Sequence, residues 1–242
     1  ASTGDLNMGG SAGGNLTATA TTGNITDTAT LTIGGTSTAT TSAANATIDL
    51  GTLASTGAVS LNTNGATGNA TVVNATALDL AASTVGGNLS GTATTGNLTD
   101  SGAITAATTT LTTSAVNATI DVGTITSTGA VSLNTNGATG NATIVHPTAL
   151  ILGTSSVGGN LAATATTGNM TDSGTVTVGG TTTATTSAAN ATIDLGTLAS
   201  TGAVSVNTNG AKGNASVVNA SALILGTSSV GGNLVATATT GN

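Results

Sequence analysis

The feature that most constrains this chain is a long internal repeat. Thr22-Gly23-Asn24-Ile25-Thr26-Asp27 returns as Thr95-Gly96-Asn97-Leu98-Thr99-Asp100 and as Thr167-Gly168-Asn169-Met170-Thr171-Asp172, and Thr240-Gly241-Asn242 begins a fourth copy. From Asn24 to Asn97, Asn169 and Asn242 the numbering advances by 73, then 72, then 73. A repeated unit of this kind buries its apolar side against copies of itself, so the chain is an array before it is a set of domains. Residues 1–242 therefore read as a single solenoid segment of a longer array. Its long repeats cover about 24–96, 97–168 and 169–241, with residues 1–23 as a partial copy. Ala1-Ser2-Thr3-Gly4 also repeats Ala54-Ser55-Thr56-Gly57, so the chain is expected to begin as well as end inside a repeat.

Between the repeat marks, apolar and polar residues alternate, as in Leu16-Thr17-Ala18-Thr19-Ala20-Thr21 and Ile48-Asp49-Leu50. Alternation puts Leu16, Ala18 and Ala20 on one side of a strand and the threonines on the other. Gly-Gly, Asn-Gly and Thr-Gly-Asn separate these short strands and read as turns, because Gly and Asn accept positive φ. No stretch carries a helical apolar stripe. The fold class is all-β, and stacking each short strand on its equivalent one coil away gives a parallel β-helix.

Two further Asn-x-Thr/Ser points fall in each long repeat, at Asn45 and Asn69, Asn117 and Asn141, and Asn190 and Asn214. Successive asparagines of this set advance by 21, 24 and 28, then by 20, 24 and 28, then by 21, 24 and 28. One step per turn predicts about three coils per 72–73-residue repeat. Dividing the repeat into four shorter coils would not keep the asparagine register.

Composition narrows the function. Charged residues are 4% of the chain, and Phe, Tyr, Trp and Cys are absent, so the core must be thin and filled by Leu, Ile, Val and Ala. With one Lys, one His, eight acidic residues and a net charge of −7, nothing could neutralise phosphates, and a nucleic-acid partner is excluded. No apolar run approaches the roughly 18 residues of a helical span, so membrane insertion is not expected. No basic stretch followed by an apolar run opens the chain, and the fold needs no disulfide.

Differences between copies indicate inside and outside. Gly34-Gly35 and Gly179-Gly180 correspond to the single Ala107, which places the one-residue deletion in a turn. Thr67 and Thr139 become Lys212, which marks the Thr-Gly-Asn turn as solvent-facing. Asp79 becomes Ile151 and Ile224, an outward position on the same reasoning.

Four sets of residues are candidate sites. Asn24, Asn45, Asn69, Asn97, Asn117, Asn141, Asn169, Asn190 and Asn214 recur once per expected coil, so stacking would align their amides into a ladder bonded from coil to coil. With Asn15, Asn74, Asn88 and Asn219 they also match the N-glycosylation tripeptide, although Asn160 and Asn233 break it. Thr17, Thr19 and Thr21, with Thr28, Thr30 and Thr32, form outward Thr-x-Thr series that could face ice or polysaccharide. Asp27, Asp100 and Asp172, with Asp49, Asp121 and Asp194, read as solvated surface charge, too widely spaced for a metal. His146, followed by the only proline, reads as an exposed turn substitution. No triad, dyad or metal set can be assembled, so neither catalysis nor a cofactor is expected.

The alternating stretches interrupted by Thr-Gly-Asn and by Ser-Thr-Gly-Ala-Val-Ser-Leu, at Ser55–Leu61, Ser127–Leu133 and (ending in Val) Ser200–Val206, resemble the repetitive shafts of filamentous-haemagglutinin-type bacterial adhesins and exoproteins. That resemblance implies a right-handed parallel β-helix, export to the bacterial cell surface or the extracellular space, a role in attachment or aggregation, and sugar on some asparagines. The expected function is a stiff, non-catalytic shaft of a secreted or cell-surface adhesin or extracellular filament. The expected partners are further similar coils and cell-surface glycans. The alternative from a different class is an ice- or polysaccharide-binding solenoid using the threonine rows.

Overall fold

The computed structural model describes residues 2–241. The described residues contain no helix, and their strands pair in parallel with about 21 residues per turn of a β-solenoid. Each turn crosses two sheets, one strand run in each, and the apolar side of every run faces the space between them. The chain divides into two compact units, Ala1–Ala115 with Thr124–Gly129, and Val116–Gly123 with Ala130–Asn242.

In the first unit one sheet stacks Leu6–Ala12, Ile25–Ile33, Ile48–Ser55, Ala70–Asn74 and Leu89–Ala93. The facing sheet begins with Leu16–Ala20, Ser37–Ala44 and Val59–Asn64 and continues in shorter strands such as Leu98–Asp100 and Ile104–Ala106. Registered inward positions form columns: Ile25, Ile48, Ala70 and Leu89 lie one above another and are buried. In the second unit Ile120–Val122, Ala142–His146, Leu161–Ala165, Thr182–Ala189 and Val204–Asn209 make one sheet. Ile193–Ser200, Ala215–Asn219 and Leu234–Ala238 belong to the other. Burying each Leu, Ile or Val gives about 1.5–3 kcal/mol, and in a core without aromatics that contribution comes as many small increments stacked in line.

The long repeat does not close on a whole number of turns. Ile25-Thr26-Asp27 and its copy Leu98-Thr99-Asp100 lie in opposite sheets of the first unit. Ala142–His146 and its copy Ala215–Asn219 lie in opposite sheets of the second. At about 21 residues per turn, one long repeat makes three and a half turns, where the asparagine spacing suggested about three. The spacing misleads because Asn45 and Asn24 occupy different positions within a coil. Unequal strand runs are absorbed by bulges, as between Thr26 and Leu31 and between Leu50 and Leu53.

The positions that differ between copies fall as expected. The Ala107 deletion sits in the bend between Ile104–Ala106 and Thr109–Val116. Lys212 is exposed in its turn, as are Thr67 and Thr139. Asp79 and Ile151 are half-buried on the outward side of strands whose flanking leucines are buried, and Ile224 is 57% exposed.

Candidate functional site: asparagine corners, buried polar knots and hydroxyl rows

The asparagines bond side chain to backbone rather than amide to amide, and they divide into two classes. In the first, Oδ1 accepts a backbone N–H from the next coil. Thr47 donates to Asn24 at 2.8 Å, Asn88 to Asn69 at 2.8 Å, Asn160 to Asn141 at 2.8 Å, Thr192 to Asn169 at 2.9 Å and Asn233 to Asn214 at 2.8 Å. Asn15 and Asn160, which the ladder reading omitted, do the same for Thr36 and Thr181. Asn97 stands at an equivalent corner, its carbonyl accepting from Leu78 N–H at 2.9 Å.

These corners explain the Gly-Gly pairs. A Cβ on Gly87 would overlap the Asn69 amide oxygen, and a Cβ on Gly159 the Asn141 oxygen. The glycine is there to let an amide of the preceding coil reach the following N–H, and neither Gly87 nor Gly159 has positive φ. At these pairs the expectation that Gly-Gly serves by adopting positive φ is corrected; it holds at Gly9-Gly10, where Gly10 has φ of 104°.

The second class is Asn45, Asn117 and Asn190. Each is left-handed, with φ of 65° or 66°, and each Oδ1 receives the N–H of Thr67, Thr139 or Lys212 at 3.0–3.1 Å. Here the side chain compensates the only non-glycine positive-φ backbone among the described residues. Asn-x-Thr thus marks two different local structures, and this misled the coil count.

Asp27, Asp100 and Asp172 are not simply solvated charge. Asp27 Oδ1 accepts from Gly51 N–H at 2.8 Å, and Thr52 N–H reaches its carboxylate at 3.1–3.2 Å. Asp172 takes Gly196 N–H at 3.0 Å and Thr197 N–H at 2.8 Å, and Asp100 takes the N–H and the hydroxyl of Thr124, both at 2.7 Å. Each carboxylate accepts backbone donors where the following coil leaves regular pairing: at the bulges between Leu50 and Leu53 and between Leu195 and Leu198, and at the break between Ile120–Val122 and Ile125–Ser127. Asp49, Asp121 and Asp194 are exposed on strand faces.

A buried polar knot went unrecognised in the sequence. Ser37 and Ser55 hydroxyls lie 3.1 Å apart inside the coil, and Asn74 beside them is fully buried. Its Oδ1 accepts from Ser55 N–H at 2.8 Å, and its Nδ2 donates to the carbonyls of Ser55 at 2.9 Å and Ala77 at 2.6 Å. Thr182, Ser200 and Asn219 repeat this arrangement. In the first unit the hydroxyls of Thr109 and Ser127 also lie 2.5 Å apart; in the sequence the residue that corresponds to Asn74 and Asn219 is His146, in the second unit. His146 is therefore an inward residue, 0% exposed, and not an exposed turn substitution. Its Nδ1 lies 3.3 Å from Thr148 Oγ1, while Pro147 beyond it is exposed. The signal that could have shown this was strand phase: in Ala142-Thr143-Ile144-Val145-His146 the histidine shares parity with Ala142 and Ile144.

The threonines make a row, but not the one expected. Thr17 and Thr19 register with Thr38 and Thr40, and then with Ser60 and Asn62. The second column continues through Thr84, Thr105 and Thr126, giving six successive polar positions in the first unit. Thr21 lies outside the strand and bonds to the Ser2 carbonyl at 2.7 Å. Thr28 and Thr30 fall on the irregular part of Ile25–Ile33, and Thr32 is flanked by Ser11 and Ala54. Shallow grooves accompany the coils. One of about 220 Å³ beside Thr30, Gly51, Thr52 and Thr94 recurs, at about 250 Å³, beside Thr175, Gly196, Thr197 and Thr239.

Comparison with known proteins adds one finding. No curated protein and no solved structure matches the chain. A family model described as repeats of unknown function (DUF5649) matches residues 67–118 and 139–207, each match opening at the same point of the long repeat, Thr67 or Thr139. Together the two stretches make up half of the chain, and the chain belongs to this DUF5649 repeat family.

Proposed function

We propose that this chain is a stiff, non-catalytic shaft of a secreted or cell-surface adhesin or extracellular filament, acting as a spacer in attachment or aggregation. The observation that supports this reading is where the polar side chains point. Asparagine amides, aspartate carboxylates and serine and threonine hydroxyls bond to the backbone of neighbouring coils, turn after turn, instead of converging on a cleft. Such bonds hold coil register, and a coil that cannot slip carries load along the stack. The test is to shorten the intact protein by one long repeat and measure attachment of the cells that display it. Attachment falling with shaft length supports the reading; attachment indifferent to length removes it.

A second reading is favoured by the registered column Thr19, Thr40, Asn62, Thr84, Thr105 and Thr126, an outward polar row that suits an ordered surface such as ice or polysaccharide. Thermal hysteresis or ice shaping by the chain, lost on Thr40→Leu, would establish it in place of the shaft.

A further inference from the structure

We propose that Asn64, Asn136 and Asn209 are sites of spontaneous deamidation, held unreactive by the fold and released when their turn opens. Each is followed by a glycine, Gly65, Gly137 or Gly210, and no other asparagine of the chain precedes one. Asparagine is a thermolabile residue, and a glycine after it has no side chain to shield the backbone nitrogen that attacks the amide. The fold demands the glycine. Its φ is 86° at Gly65 and Gly137 and 82° at Gly210, and a Cβ there would come within 2.5–2.8 Å of the Oδ1 of Asn45, Asn117 or Asn190.

Burial does not protect these asparagines, which are exposed at the ends of Val59–Asn64, Val131–Asn136 and Val204–Asn209. Bonds to the preceding coil do. The backbone carbonyls of Asn64, Asn136 and Asn209 each accept the N–H of the left-handed Asn45, Asn117 or Asn190, all at 2.6 Å. Asn64 Nδ2 donates to the Ser42 carbonyl at 3.1 Å, and Asn209 Nδ2 to the Ser187 carbonyl at 3.0 Å. An amide held at both its main chain and its side chain cannot turn its Cγ onto the next nitrogen.

Once the turn opens, the Gly65 nitrogen gives its proton to hydroxide and attacks Asn64 Cγ. A C–N bond forms, the Cγ–Nδ2 bond breaks, and the amide nitrogen takes a proton from water and leaves as ammonia. Water then opens the cyclic imide. Opening at the side-chain carbonyl gives aspartate, and opening at the main-chain carbonyl gives isoaspartate, with one water consumed and one ammonia released overall. Aspartate sets a carboxylate against the Ser42 carbonyl in place of a donor, and isoaspartate lengthens the main chain by a methylene. Neither product can restore the turn, so prolonged opening leaves a covalent mark.

The experiment incubates the whole chain in mildly alkaline buffer, folded and in guanidinium chloride, and follows each asparagine by peptide mass spectrometry with an isoaspartate assay. In denaturant Asn64, Asn136 and Asn209 should convert ahead of every other asparagine. In the folded chain they should convert at least about tenfold more slowly, because only the open fraction reacts. Equal rates in the two states, or no lead for these three in denaturant, overturns the proposal. Asn45→Ala supplies an internal comparison, since it loosens one turn and leaves two intact. Folded, that variant should convert faster at Asn64 while Asn136 and Asn209 keep the wild-type rate; an unchanged Asn64 rate overturns the gating.

Discussion

At the scale of single residues, the same amide does work of different value depending on where it sits. Asn74 accepts the N–H of buried Ser55, whose carbonyl it shares with the Thr76 hydroxyl, so Asn74→Ala orphans the N–H and should cost about 1–3 kcal/mol in chemical denaturation. Asn45 is exposed and left-handed, so Asn45→Ala should cost about 1–2 kcal/mol, and Asn45→Gly less, because glycine adopts that φ freely. Asp27→Ala should cost about 1 kcal/mol by removing the acceptor of two bulge N–H groups, and Asp49→Ala should be nearly silent. A ranking in which Asn45→Ala exceeds Asn74→Ala would contradict the burial described here.

At the scale of elements, the alternation of Leu16–Ala20 and Ile48–Leu50 was enough to read strands, parallel stacking and the inward columns. The substitution of Thr67 by Lys212 was enough to place a turn in solvent. The half-turn phase was not legible, because Asn-x-Thr marks both a corner amide, as at Asn24, and a left-handed turn, as at Asn45. The Asn74 and His146 sites were missed for another reason: polar residues beside an expected turn look exposed, and only the hydroxyl and backbone partners gathered around Asn74 make its burial tolerable. Corner spacing also predicts how the turns respond to added bulk. A Cβ at Gly86 would overlap the Gly65 carbonyl oxygen, so Gly86→Ala should destabilise by about 1–3 kcal/mol. Gly123 has open space and ordinary φ, so Gly123→Ala should leave stability unchanged or raise it by about 0.4–1 kcal/mol. Thermal melts of the two variants test the contrast.

At the scale of the whole molecule, strands pair only with those of adjacent turns, so stability should be divisible. A chain ending after Gly168 should keep the far-ultraviolet β signal per residue of the parent and unfold with a smaller denaturant slope, in proportion to its length. Complete loss of structure on that truncation would mean that cooperativity reaches much farther than neighbouring turns. Because seven half-turns separate one copy from the next, the outward residues of Ile25–Asp27 in the first unit reappear on the reverse side as those of Leu98–Asp100. A solenoid phased in this way has no blank back. Anything that grips one copy of the repeat finds a second grip facing the other way, so a single strip of such repeats is equipped to bridge two bodies held on opposite sides, with the gain in avidity that bivalence brings.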